Sequence, residues 1–148
     1  MNRRFDGVRA VFFDAVGTLL FPNPPVSQVY AEVARRHGAP PPDVASLRDH
    51  FRRCFADEEQ RDIAADWRTS EQWEVDRWRR IVTSCLVDVS DPEAAFQELF
   101  AHFATPVAWA LDADAGRVFD ALHQHGLILG MGSNYDSRLT SVIAGHPE

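Results

Sequence analysis

Two short apolar runs, each ending in a small polar loop and set far apart in the chain, constrain the fold more than any other feature. Residues 8–13 read V-R-A-V-F-F and stop at Asp14; residues 127–131 read L-I-L-G-M and stop at Gly132-Ser133-Asn134. Runs this short, rich in aliphatic and aromatic residues, are predicted to be buried strands. The stretch between them changes to helical periodicity from about residue 27 to 103, and a further helical pattern covers residues 114–124, directly before the second run. A strand, a helical crossover and a second strand predict an α/β fold with a parallel sheet.

The helical stretch divides into four segments. Phe21-Pro22-Asn23-Pro24-Pro25 reads as a prolyl hinge that no helix or central strand would tolerate. Ser27 is then expected to cap a helix running to His37, with Val29, Tyr30 and Val33 on one face and Gly38 as its stop. Asp43 or Ser46 can start a second helix that carries Leu47, His50, Phe51, Cys54 and Phe55 at helical spacing. A third is predicted over residues 70–86, with Trp73, Val75, Trp78, Ile81, Val82 and Cys85. Asp91-Pro92 is a cap followed by proline at the first helical position, opening a fourth segment to about Phe103. The Trp and Phe residues of the whole helical stretch recur as buried helix faces do, which favours a packed core over a cofactor box. Another helix is expected from near Ser137 to about Ala144.

Composition excludes several classes. The formal net charge of −7 argues against nucleic-acid binding, which needs a positive face against phosphates. No apolar run approaches the ~20 residues of a membrane span, so no membrane partner and a cytoplasmic location are expected. The arginines cluster at Arg35-Arg36, Arg48, Arg52-Arg53, Arg77 and Arg79-Arg80, but they alternate with acids, which predicts a solvated, salt-bridged surface. Cys54 and Cys85 lack metal-site spacing and are read as buried thiols.

The chemistry is concentrated where the strands end. In open parallel sheets, ligands bind beyond the carboxyl ends of the strands. If the two strands are neighbours, Asp14, Thr18, Ser133 and Asn134 converge. A carboxylate there can serve as a nucleophile or a metal ligand. Gly17 permits a tight turn that aims amides at an anion, and the Ser133 hydroxyl can hold a phosphoryl or carboxylate oxygen.

These residues resemble a known family. Val11-Phe12-Phe13-Asp14-Ala15-Val16-Gly17-Thr18-Leu19-Leu20 is similar to the first motif of the haloacid dehalogenase-like (HAD) hydrolases, an apolar strand followed by Asp-x-x-x-Thr. Leu127-Ile128-Leu129-Gly130-Met131-Gly132-Ser133-Asn134 resembles their second motif, and Asn134-Tyr135-Asp136-Ser137-Arg138-Leu139 resembles a run found in one branch. A helical cap inserted after the first motif is also a habit of the family. The resemblance implies an incomplete Rossmann-like parallel-sheet core over residues 1–21 and 106–148, with an α-helical cap over 22–105. It implies Asp14 as nucleophile and Mg²⁺ ligand, the Val16 carbonyl as a second ligand, Thr18 as a brace of the loop, and Ser133 with Asn134 at the transferring group. It further implies a small-molecule substrate, a phosphorylated one, and transfer through an aspartyl-phosphate.

The chain departs from the family pattern in two places. Where the phosphatases carry a second aspartate as general acid, this chain has Val16, which moves no proton. General acid–base help is worth roughly 10²–10⁴-fold, so substrates with good leaving groups suffer least. The family's third motif is a downstream lysine followed by metal-binding acids, and all fifteen basic residues here are arginine. The chain as given is therefore expected to be the front part of such a protein. Its sheet should expose an apolar face, and alone it should turn over little. Two other functions are compatible with the same residues: dehalogenation of a 2-haloacid through an ester on Asp14, and a catalytically dead interaction protein using the Trp- and Arg-rich insert.

Overall fold

The computed structural model describes residues 5–40, 42–67 and 70–146. The two apolar runs form strands β1 (Ala10–Phe13) and, as the last strand in chain order, β4 (Ile128–Met131). They pair in parallel, from Ala10 opposite Ile128 to Phe13 opposite Met131. Helix α5 (Ala115–Gln124) precedes β4 and covers one face, where the Phe13 and Phe119 rings meet edge to face at 5.2 Å. The opposite face is bare: Phe12 is 72% exposed and Ile128 68%. The Phe12 ring lies over Gly130, where a Cβ would come within 2.6 Å of it and push the exposed ring aside.

A second pairing overturns part of the sequence expectation. Phe21 and Pro22, read as the start of a prolyl hinge, belong instead to strand β2 (Leu20–Pro22), which pairs antiparallel with β3 (Trp109–Leu111). Pro22 is tolerated because the ribbon has only two strands and the proline sits at its end, opposite Trp109. The ribbon continues through Asn23 N–H to the Ala108 carbonyl (2.9 Å) and Asp112 N–H to the Leu19 carbonyl (2.8 Å).

The helical stretch forms α1 (Val26–Arg36), α2 (Val44–Ala64), α3 (Glu71–Cys85) and α4 (Pro92–His102). Three N-caps are made by side chains at the helix starts. Asp43 accepts from Ser46 N–H at 2.9 Å, Ser70 from Trp73 N–H at 3.1 Å and Asp91 from Ala94 N–H at 2.9 Å. Ser27 is not a cap. Pro25, with φ −53° and ψ 144°, occupies that position, and Ser27 is buried inside the first turn. Proline's fixed φ suits the entry to a helix, so it displaces the serine. Helix α2 also outruns its apolar pattern. Its last turns are charged and are held by ion pairs to α3, Glu58 to Arg80 at 2.7 Å and Asp62 to Arg77 at 2.9 Å.

The four helices enclose a core that includes Tyr30, Val33, Ile81, Phe96 and Leu99, all at most 2% exposed. Each such side chain contributes about 1.5–3 kcal/mol by leaving water. A smaller cluster lies at the base of the molecule, with Ala15, Leu20, Ala108 and Trp109, and closes with Val142 of α6 (Arg138–Ala144). Phe103 packs against both clusters. Cys54 and Cys85 are buried free thiols, as expected; burial, together with the neighbouring Cys54, pushes the Cys85 thiol up.

The arginine reading holds at the surface and fails once. Arg35, Arg36 and Arg79 form solvent-facing pairs with Glu32, Glu98, Asp76 and Glu93. Arg77 is only 6% exposed. Alternation with acids cannot separate a surface pair from a buried one, because the packing partner, here Asp62 on α2, is set by tertiary structure. Among the described residues, no helix is long and apolar enough to cross a membrane.

Candidate active site

The register of β1 against β4 places two loops side by side. Gly132 N–H donates to the Phe13 carbonyl at 2.9 Å, so Asp14 and the loop of Gly132, Ser133 and Asn134 leave adjacent strands at the same carboxyl edge. The loop after Asp14 folds over a single acceptor. The Ala15 carbonyl takes the amides of Thr18, Leu19 and Leu20 at 3.4, 2.8 and 2.9 Å. Gly17 turns the chain with φ +87°, a conformation that disfavours any residue with a Cβ. Ala15 itself is fully buried beneath the loop, whereas Asp14 and Thr18 face solvent. Thr18 Oγ1 donates to Asp14 Oδ2 over a long 3.5 Å.

In the second loop, Ser133 Oγ accepts from Tyr135 N–H at 3.1 Å, which shapes the turn and leaves the hydroxyl proton free to donate. Asp136 and Arg138 form a buried two-pronged pair, 2.7 Å on each side, with side chains 2% and 10% exposed. Arg138 then reaches into the helical unit: Nη1 donates to the Phe100 carbonyl at 3.3 Å, and the guanidinium lies 3.7 Å from the Phe100 ring centre. Tyr135 adds a hydrogen bond from its hydroxyl to the Phe103 carbonyl at 2.9 Å, and burial pushes this phenol up to about 12. Trp109 Nε1 donates to the same carbonyl at 3.0 Å. Ser137 closes the seam from another side, its Oγ donating to Glu71 at 2.7 Å. The Asp-x-Arg run noted in the sequence therefore ties the base to the helices.

Between the two units lies a cavity of about 260 Å³. Val16 and Asn134 line it from the base, beside Trp109 and Tyr135. Tyr30, Phe51, Phe55 and Trp78 line it from the helices. Its charged groups are Glu74, Arg77 and Arg138. Asp14, Thr18 and Ser133 are outside the lining, so the structure separates the residues singled out from sequence into two groups. Asp14 and Thr18 touch each other at the solvent edge, while Val16 and Asn134 face the cavity. The sequence pattern reads Trp78 as core and Arg77 as surface and does not single out Glu74, because all three sit within an ordinary amphipathic helix.

The Arg77 guanidinium stacks 4.7 Å from the Phe55 ring centre. Its Nε is 2.9 Å from Asp62 Oδ2, close enough for an ion pair but misaligned for a hydrogen bond. Burial raises the Glu74 carboxyl above the usual carboxylate range, and Arg77, 3.8 Å away, opposes this.

The fold, a small parallel α/β base joined to a helical unit with a loop-borne carboxylate at the strand ends, defines a class before any comparison. Residues 8–148 match the haloacid dehalogenase-like hydrolase family, and the chain belongs to it. Haloacid dehalogenase-like hydrolase domain-containing protein 3 of Mus musculus is 27% identical over 146 residues, covering 93% of this chain and 56% of that protein. The protein of the same name from Homo sapiens shows the same identity and coverage. The chain thus spans about half the length of these curated relatives. A solved structure described as a dehalogenase superposes with a TM-score of 0.59 at 19% identity, over 94% of this chain and 57% of that one, which supports the fold.

Proposed function

We propose that this chain carries the nucleophile-bearing part of a phosphoryl hydrolase, with residues 1–21 and 106–148 as its core and 22–105 as its cap. The observation that carries the reading is the parallel pairing of Phe13 with Met131, which brings Asp14 and the Ser133 loop to one edge. In this reading an Asp14 carboxylate oxygen attacks phosphorus, and an aspartyl-phosphate forms as the leaving group departs. Thr18 braces the nucleophile loop; the free Ser133 proton and the Asn134 amide donate to the phosphoryl oxygens.

The family implies Mg²⁺, and the donors here fit it in kind. Asp14 offers an exposed carboxylate, and the Val16 carbonyl takes no main-chain hydrogen bond among the described residues. The described residues hold no group of three or more His, Cys, Asp or Glu side chains placed to bind a metal. Magnesium characteristically completes its shell with water and phosphate oxygens. Held by Asp14 and the Val16 carbonyl, it would neutralise charge on the moving phosphoryl group.

The test is covalent trapping. Acid-quenched protein turning over phenyl phosphate should carry a phosphoryl group on the peptide containing Asp14, and Asp14→Asn should carry none. Turnover that persists in Asp14→Asn overturns the reading.

A further inference from the structure

We propose that the cavity between the helices and the base receives the leaving group of the phosphomonoester, and that it selects an aromatic alcohol. This rests on the hydrolase reading and adds the substrate class to it. Three features of the cavity point the same way.

The first is its wall. Aromatic side chains from both units face it, among them Phe51, Phe55, Trp78 and Trp109. Such walls favour a flat ring through edge and stacking contacts. The volume of about 260 Å³ is ample for a single ring, since an apolar protein cavity of ~150 Å³ already binds benzene.

The second is its charge balance. Both wall arginines are already neutralised, Arg77 by Asp62 and Arg138 by Asp136. Arg138 also spends its remaining reach on the Phe100 carbonyl, and the Tyr135 hydroxyl donates to the Phe103 carbonyl. A leaving group with its own negative charge meets arginines that are already paired, with the Glu74 carboxyl beside them, and burying that charge uncompensated would be costly.

The third is Val16. It lies on the nucleophile loop, lines the cavity and has no proton to give. In this proposal no acid on that loop protonates the ester oxygen, so the phosphorus–oxygen bond breaks with its electron pair leaving on oxygen as an anion. A phenol tolerates this far better than an alkyl alcohol, because the ring delocalises the charge. Asp14 gains the phosphoryl group as the phenolate departs. Water then attacks the aspartyl-phosphate, releasing inorganic phosphate and restoring the carboxylate, and a proton from that water ends on the phenolate or in solvent.

The experiment compares phenyl phosphate with propyl phosphate, by calorimetric titration and by turnover. Phenyl phosphate should bind at least ~10-fold more tightly, in the wild type and in Asp14→Asn. Its kcat/KM should exceed that of propyl phosphate at least ~10²-fold, the scale of missing acid catalysis. Trp78→Ala should erase most of the binding preference, and Trp78→Phe, should the first fail to fold, should retain it. Equal binding of the two esters, or a preference untouched in a folded Trp78→Ala, overturns the proposal. Turnover without preference sinks this inference and leaves the hydrolase reading standing. Preferential binding without turnover upholds the cavity's selectivity, and turnover that survives Asp14→Asn sinks the hydrolase reading.

Discussion

The helical unit and the sheet base solve the same burial problem with different success. Helices α1 to α4 satisfy their backbone hydrogen bonds internally and need only pack side chains, so their core closes around Ile81, Phe96 and Leu99. The base depends on strand neighbours. Among the described residues its parallel sheet has two strands, and one face leaves Phe12 and Ile128 in water. Parallel sheets ordinarily have both faces covered. The proposed site nevertheless lies on the less covered side, at the edge where β1 and β4 end. The contrast shows that the helical unit closes its own core while the unit that carries Asp14 leaves one sheet face in water.

The sharpest way to break the comparison separates chemistry from stability. Asp14→Asn should abolish whatever phosphoester turnover the wild-type chain shows, yet leave the thermal midpoint unchanged, since Asp14 is exposed and makes one long contact. A thermal scan beside a phosphate-release assay checks both halves. Removal of Mg²⁺ by chelation should abolish the same turnover; halide release from a 2-haloacid that survives chelation would instead favour ester chemistry on a haloacid.

Next in size is the buried pair of the helical unit. Arg77→Ala leaves Asp62 buried without its cation and should cost about 3–5 kcal/mol in urea unfolding. Ile81→Ala, at a position with no exposure, should cost about 2–5 kcal/mol. The matching change in the base should behave oppositely. Phe12→Ser and Ile128→Ser together should alter stability by less than about 1 kcal/mol, because both side chains are already wet. They should also lower self-association measured by sedimentation, since the bare face is an adhesive one. A large stability loss there would show that this face is covered in solution.

The smallest effect lies at the acid limb. Glu32 is held down to about 2, first by its hydrogen bond from Arg35 and then by Arg36, against the burial that opposes them. A depressed carboxyl stabilises the fold above its ordinary range and loses that contribution as pH falls through about 2. The pair is solvent-exposed, so Glu32→Gln should only slightly flatten the loss of stability between those limits, as followed by circular dichroism.

The sequence by itself determined the elements whose causes are local. Asp43, Ser70 and Asp91 cap helices because their side chains reach amides three residues on. The apolar runs ending at Phe13 and Met131 formed strands because short β-prone runs have few alternatives. The parallel pairing of those strands was expected as a condition and came true as a register. Only the tertiary structure decided the rest. Leu20–Pro22 became a strand because Trp109–Leu111, distant in sequence, offers it a partner. Arg77 left the surface because Asp62 of a neighbouring helix compensates its charge. The cavity that joins Val16 to Trp78 exists because two units fold against each other around Phe103 and Arg138. Helix caps and hydrophobic periods are interactions over a few residues and can be read along the chain. Strand partners, buried charge pairs and cavities are fixed by which distant surfaces meet, and that is settled by packing.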